Sequence, residues 1–262
     1  MKKYLWLFAI VMISGLLGCA RAPESSWNLV WADDFDYTGL PDTTKWAYEV
    51  GYIRNHELQY YTRARSENAR VENGNLILEA RKDNWEGHEY TSASLSTWEK
   101  AAWQYGRIEV RAKLPTGKGM WPAIWMMGVN RREVGWPDCG EIDIMENVGF
   151  DPDVIHANIH TEAYNHVKGT NKGNSITVSA PYDEYHVYTL NWYPDHMDFF
   201  VDDQQYFSFE NEGTGEAVWP FDQKCYLKIN AAIGGDWGGQ QGVDDSIFPQ
   251  KYSIDYVRVY RQ

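Results

Sequence analysis

Between residues 140 and 147 the chain reads Gly140-Glu141-Ile142-Asp143-Ile144-Met145-Glu146-Asn147, three carboxylates threaded between aliphatic side chains. Wound into a helix, the acids would scatter around the cylinder. Extended as a strand, Glu141 and Asp143 share one face while Ile142 and Ile144 share the other. Glu146 sits five residues beyond Glu141, an odd offset that by itself would turn it to the apolar face. One extra residue near Met145, a β-bulge, returns it to the other acids, and bulges are frequent beside active sites. The stretch therefore predicts a bulged strand with three acids on one face and a core-facing apolar side. Like charges this close repel, so packing gives no reason to gather them, and a merely solvated face usually mixes Lys and Thr with its acids. The arrangement points to chemistry.

The rest of the chain fits a strand-built frame. No long segment spaces apolar residues at i, i+3, i+4 and i+7, so helices should be few. Short β-type runs recur at 75–80, Gly106–Lys113, Val154–His160, 185–192, 197–201, 226–232 and 254–260. Between them stand turn residues such as Asn73-Gly74, Pro115-Thr116-Gly117 and Asp151-Pro152-Asp153. Asp202-Asp203, between two aromatic runs, reads as a hairpin turn. No repeat, low-complexity tract or interdomain linker interrupts them. The expected architecture is all-β, a single sandwich of two antiparallel sheets over residues 27–262, bent so that one sheet forms a cleft.

What such a cleft would hold follows from charge and aromatic content. Formal net charge is −13, a field that repels nucleic acid and sulfated or carboxylated polymers and leaves a neutral substrate. With 13 Trp, 18 Tyr and 9 Phe, the chain has aromatic faces to spare for stacking on sugar rings. Trp121 and Trp125 precede the acidic strand, and either could serve the cleft or the core. Trp237 stands in a glycine-rich loop, Gly234-Gly235-Asp236-Trp237-Gly238-Gly239, where burial is difficult and ligand stacking is expected. His160 and Glu162 could reach the cleft from a neighbouring strand, His160 as a sugar contact or as a structural His. His156, His166 and His186 have no partner at metal-ligand spacing. No phosphate-binding glycine loop and no Ser-His-Asp set is present.

The amino terminus reads as targeting rather than fold. Lys2 and Lys3 precede an apolar stretch over residues 4–17, shorter than the ~20 residues a bilayer-spanning helix needs. It ends in Leu16-Leu17-Gly18-Cys19, which resembles a bacterial lipoprotein signal. Residues 1–18 would be removed, Cys19 acylated, and residues 19–26 would form a tether, placing the protein on the bacterial envelope, at the periplasmic or cell-surface face of the outer membrane. An ordinary secretory signal is the alternative. Cys139 and Cys225 could pair after export or remain buried thiols.

These residues together are similar to the bulge-containing, laminarinase-like branch of family 16 glycoside hydrolases. The acidic strand resembles that family's catalytic signature. Further blocks match in order: Asn55-His56-Glu57-Leu58-Gln59-Tyr60-Tyr61-Thr62, Tyr105-Gly106-Arg107 through Leu114-Pro115, Gly119-Met120-Trp121-Pro122-Ala123-Ile124-Trp125 and Asp255-Tyr256-Val257-Arg258-Val259-Tyr260. His56 departs from the pattern, where Asn is commoner, as does Cys225, where an aromatic is usual. The resemblance implies a concanavalin A-like β-jelly roll and retaining, endo-acting hydrolysis of β-glucans containing 1,3-linkages. It makes Glu141 the nucleophile, Glu146 the general acid/base and Asp143 their auxiliary, with Asn55 at the sugar. It needs no cofactor for catalysis, but implies a structural calcium held by Asp34, the Gly74 carbonyl and Asp255. A monomer with β-glucan as its partner is expected. An agarose or galactan hydrolase of the same family, a transglycosylase and a non-catalytic β-glucan-binding protein are the rival readings. Two carboxyls ~5–5.5 Å apart serve a retaining glycosidase. Glutamates four effective positions apart on one strand face, with Cα atoms ~13 Å apart, are long enough to lean most of the way together.

Overall fold

The computed structural model describes residues 26–262. The apolar leader, Cys19 and nearly all of the tether lie outside the described residues. Two sheets face one another. The 7-stranded sheet runs Lys172–Thr177, Val154–His160, Glu141–Glu146, Met120–Gly128, Cys225–Ile233, Ser94–Ser96, Ala47–Tyr48. The 10-stranded sheet has Gly106–Lys113 and Gln250–Arg261 at its centre, with Asn28–Asp33 and Ala69–Glu72 attached beside its main path. This is the expected jelly-roll sandwich, with one departure. Gln59–Tyr61 pairs parallel to His88–Ser92, so the sheets are not wholly antiparallel. Helix among the described residues is confined to Arg131–Val134 and a 3-10 turn at Asp245–Ile247.

Period-two alternation explains the layering. In Gly106–Lys113 the glycine, Ile108, Val110 and Ala112 are buried while the residues between them are half-exposed. Ile142, Ile144 and Met145 join Leu190, Phe199 and Val201 in one apolar layer between the sheets. Each large aliphatic side chain so buried contributes roughly 1.5–3 kcal/mol. The acidic strand is anchored from its back, which leaves its other face free for polar residues.

The bulge falls where the odd offset requires it. Against Met120–Gly128, Asp143 pairs with Trp125, Met145 with Ile124 and Glu146 with Ala123, so Ile144 is the extra residue. Trp125 and Ala123 share a face, and therefore Asp143 and Glu146 do too. The freed Ile144 carbonyl accepts a long hydrogen bond, 3.4 Å, from the buried Tyr206 hydroxyl, which meets a backbone group the bulge would otherwise leave unpaired.

The residues assigned to calcium by resemblance meet at one corner of the other sheet. Ile254 pairs with Leu76, which brings Asp255 beside the Asn73-Gly74 turn, and Asp33 pairs with Val257, which brings Asp34 near. Each of the two carboxylates also meets an arginine. Arg258 Nε donates to Asp34 Oδ1 at 2.8 Å and Arg111 Nη1 to Asp255 Oδ2 at 2.5 Å. Each carboxylate meets its arginine through one oxygen, which leaves Asp34 Oδ2, Asp255 Oδ1 and the Gly74 carbonyl as the oxygens that would hold a calcium ion. Cys139 and Cys225 are free, buried thiols, and burial raises the pKa of both.

Candidate active site

Three neighbouring strands present one polar face to a cleft of about 700 Å³. Glu141 is opposite His160, Asp143 opposite Asn158 and Glu146 opposite His156. On the other side Trp125 and Ala123 oppose Asp143 and Glu146. Gly173, across from Asn158, leaves the room that amide uses, since a Cβ there would sit 2.4 Å from Asn158 Oδ1.

Glu146 is the most tightly positioned of the acids. Its Oε1 accepts from the Trp121 indole N–H and its Oε2 from Asn158 Nδ2, each at 3.0 Å. Two donors on two oxygens fix the carboxyl plane and leave further lone pairs for a proton. Asp143 Oδ2 lies 3.3 Å from His160 Nε2. Glu141, Asp143 and His160 each place an oxygen or nitrogen within 4.8 Å of the others, close enough for the two carboxyls to feel each other's charge.

Burial dominates the proton balance. It pushes Glu141 up to about 8, with the Asp143 charge next in size, while His160 and the more distant Lys228 pull down. Burial likewise raises Asp143 well above the usual carboxylate range, with Glu146 adding to it. Glu146 is raised by burial, against the pull of His160, Asn158 and Trp121. All three acids are raised together, and in each the desolvation of the cleft floor is the largest cause. The cluster therefore shares protons at neutral pH: general acid catalysis needs one of them on Glu146, and the attacking form is the fraction in which Glu141 is ionised. Asp143→Asn removes one ionisable group of the cluster and leaves Glu141 and Glu146 in place. It is expected to lower kcat less than substitution of either glutamate, and steady-state kinetics on laminarin check the order.

Of the sugar-contact candidates, Asn55, Trp121, Trp125, His160 and Trp237 all line the cleft. Trp125, which could have served either core or cleft, lies on the cleft face, with its indole N–H held by Asn230 Oδ1 at 2.7 Å. Trp237 packs edge-on against Trp121 and His156, at 5.7 and 4.9 Å between ring centroids. Its loop is tied down, since Asp236 N donates to the Asn55 carbonyl at 2.9 Å. Asn55 itself is exposed. Glu162 is exposed and absent from the cleft wall, so its expected contribution is withdrawn: past His160 the chain has left the strand.

Several lining residues escaped the sequence reading. Asn158 stands between His156 and His160 at the alternation that a cleft face requires, and this was its available signal. Arg54 and Glu57 lie in an irregular segment with no periodicity to place them. Lys228 is a lone cation inside the apolar run 225–233, which is a signal in itself.

Residues 56–258 match the model of glycosyl hydrolases family 16. The chain belongs to family 16. A β-glucanase of Rhodothermus marinus is 52% identical across 100% of this chain and 95% of its own length. The crystal structure of a laminarinase from the same organism superposes with a TM-score of 0.88 at 55% identity, covering 90% of this chain and 98% of that one. A non-specific endo-β-1,3(4)-glucanase of family 16, crystallised with 1,3-β-D-cellotriosyl-glucose, also gives a TM-score of 0.88, at 51% identity, covering 92% of this chain and 97% of that one. This family 16 chain thus combines the family's fold with a polar cleft floored by its acidic strand.

Proposed function

We propose that this protein is an endo-acting, retaining glucanase of family 16 that cleaves β-glucans containing 1,3-linkages, with Glu141 as nucleophile and Glu146 as acid/base. The observation that carries the assignment is the bulge at Ile144, which sets Glu141 and Glu146 on one face of the cleft floor. The relatives, a β-glucanase and a non-specific endo-β-1,3(4)-glucanase, support the substrate class. The chain's acidic balance and the aromatic and amide groups of the cleft suit a neutral polymer.

The reaction takes two displacements. The Glu141 carboxylate attacks the anomeric carbon while Glu146 gives its proton to the departing glycosidic oxygen. Trp121 and Asn158 hold Glu146 in place for that transfer. A covalent glycosyl ester then occupies Glu141 and its charge is gone. With less negative charge nearby, Glu146 becomes more acidic and, now deprotonated, takes a proton from the water that attacks the ester. Asp143 faces both glutamates and orients the nucleophile.

Incubation with laminarin and barley β-glucan is expected to release short oligosaccharides early, with agarose left intact. Proton NMR of the first laminarin product should show the β-anomer. Release from agarose alone would move the substrate to a galactan. Binding without hydrolysis would make this a glucan-binding protein, and elongated products a transglycosylase.

A further inference from the structure

The strand Cys225–Ile233 runs beneath the cleft beside Met120–Gly128, and all of its residues are buried. Leu227, Ile229, Ala231 and Ile233 belong to the apolar layer between the sheets. On the alternate face stands Lys228, whose side chain is only 2% exposed. Burying an ammonium is unfavourable unless it is paired, and an aliphatic residue would fill the same space without that penalty. Lys228 is paired with care. Its Nζ lies 2.9 Å from Glu49 Oε1 and 3.8 Å from the centre of the Trp125 ring. The second Glu49 oxygen accepts from Arg54 at 2.7 Å and from the Ser94 hydroxyl at 2.6 Å. Arg54 in turn lies 4.9 Å from the Trp125 ring.

The register puts this cation in line with Asp143, and Glu141 stands two residues away on the same strand face. Lys228 is opposite Trp125, and Trp125 is opposite Asp143. Two interstrand steps, roughly 10 Å, separate the lysine backbone from that of the acidic strand. The ammonium lies over the Trp125 ring and is almost fully withdrawn from solvent, so its field is less screened than that of a surface charge. We propose that Lys228 is a positioning residue for the hydrolysis: its buried ammonium, held over Trp125 by Glu49, supplies positive charge across the sheet that favours the ionised nucleophile. This rests on the assignment of Glu141 as nucleophile.

The groups around both ends of the interaction set its sign. Glu141 is faced by Asp143 and Glu146 on its own strand, by His160 on the next, by Cys139 before the strand and by Lys228. Lys228 is faced by Glu49 and Arg54 from the segment that follows Ala47–Tyr48, and by Glu141. Burial and then Arg54 lower its own pKa to about 8, so it is charged through the acid and neutral range. Removing that charge leaves Glu141 facing acids with less compensation, and its carboxyl stays protonated to higher pH.

The test is the pH profile of kcat/KM on laminarin for the wild type, Lys228→Met and Lys228→Arg, each confirmed as folded by its melting temperature. Lys228→Met is expected to move the acid limb up by about half a pH unit or more, while Lys228→Arg leaves it in place. Should the Met variant fail to fold, Lys228→Gln supplies the neutral side chain. An acid limb unmoved in a folded neutral variant, with the loss spread evenly over all pH values or confined to KM, overturns the inference and reduces Lys228 to a support for Trp125. A Glu141→Gln enzyme that still turns over would instead remove the assignment beneath it, so the two failures are distinguishable.

Discussion

Glu141→Gln is expected to lose turnover on laminarin by about 10⁴-fold or more, as removal of a covalent nucleophile does in other enzymes. Gln fills the same space on the same strand face, so the loss isolates the charge and the attacking oxygen. Glu146→Gln is expected to lose about 10²–10⁴-fold, the range for general acid–base catalysis. Its amide would meet the Trp121 and Asn158 donors with only one acceptor oxygen where the carboxyl offers two. The acid/base loss should also depend on the substrate. A leaving group that needs no proton, such as dinitrophenolate, restores the first displacement in Glu146→Gln and not in Glu141→Gln. Stopped assays on laminarin and on an activated aryl glucan check both statements.

The same Glu141→Gln substitution is expected to make the protein more stable above neutral pH. Burial holds the Glu141 pKa at about 8, against an ordinary 4.5. A carboxyl raised in this way favours the folded state while it is protonated in both states, below its unfolded pKa. As pH climbs from 4.5 to 8 the unfolded chain releases the proton more easily than the folded one, and that stability is lost. Gln has no such proton. At pH 8.5 the variant should therefore exceed the wild type by on the order of 3 kcal/mol, given ~1.4 kcal/mol for each pH unit separating the folded and unfolded pKa values and some relief shared with Asp143. For a domain this size that is roughly 6–12 °C in Tm. At pH 4.5 the two proteins should melt together. Equal melting temperatures across the whole range would contradict the raised pKa. The disabled enzyme is predicted to be the sturdier protein because the desolvated acids of the cleft floor oppose the fold and are retained for the reaction.

Much of this was legible in the residues. The acid spacing of 140–147 required a bulge and the structure contains one, since a two-residue period leaves no other way to put Glu146 beside Asp143. The alternation in Gly106–Lys113 and Val154–His160 located strands to the residue. Asp202-Asp203 lies at the turn between His196–Val201 and Gln204–Glu210. What escaped depended on long-range contacts. Nothing local in Arg54 or Glu49 says that they share a carboxylate–guanidinium pair beneath Trp125. Asp34 and Asp255 carried an oxygen chemistry suited to a cation, but Arg258 and Arg111, distant in sequence from one or the other, are the cations they meet. The parallel pairing of Gln59–Tyr61 with His88–Ser92 leaves no trace in composition, because a short strand looks alike in either direction.

Trapping the intermediate tests the catalytic assignment most directly. A 2-fluoro laminaribiosyl donor with a good leaving group slows the second displacement, and fragmentation mass spectrometry of the digested protein then locates the sugar. The arrangement on the cleft floor predicts one added glycosyl unit, on the side chain of Glu141. A label on Glu146 or Asp143, or no label while turnover yields the α-anomer, would contradict it.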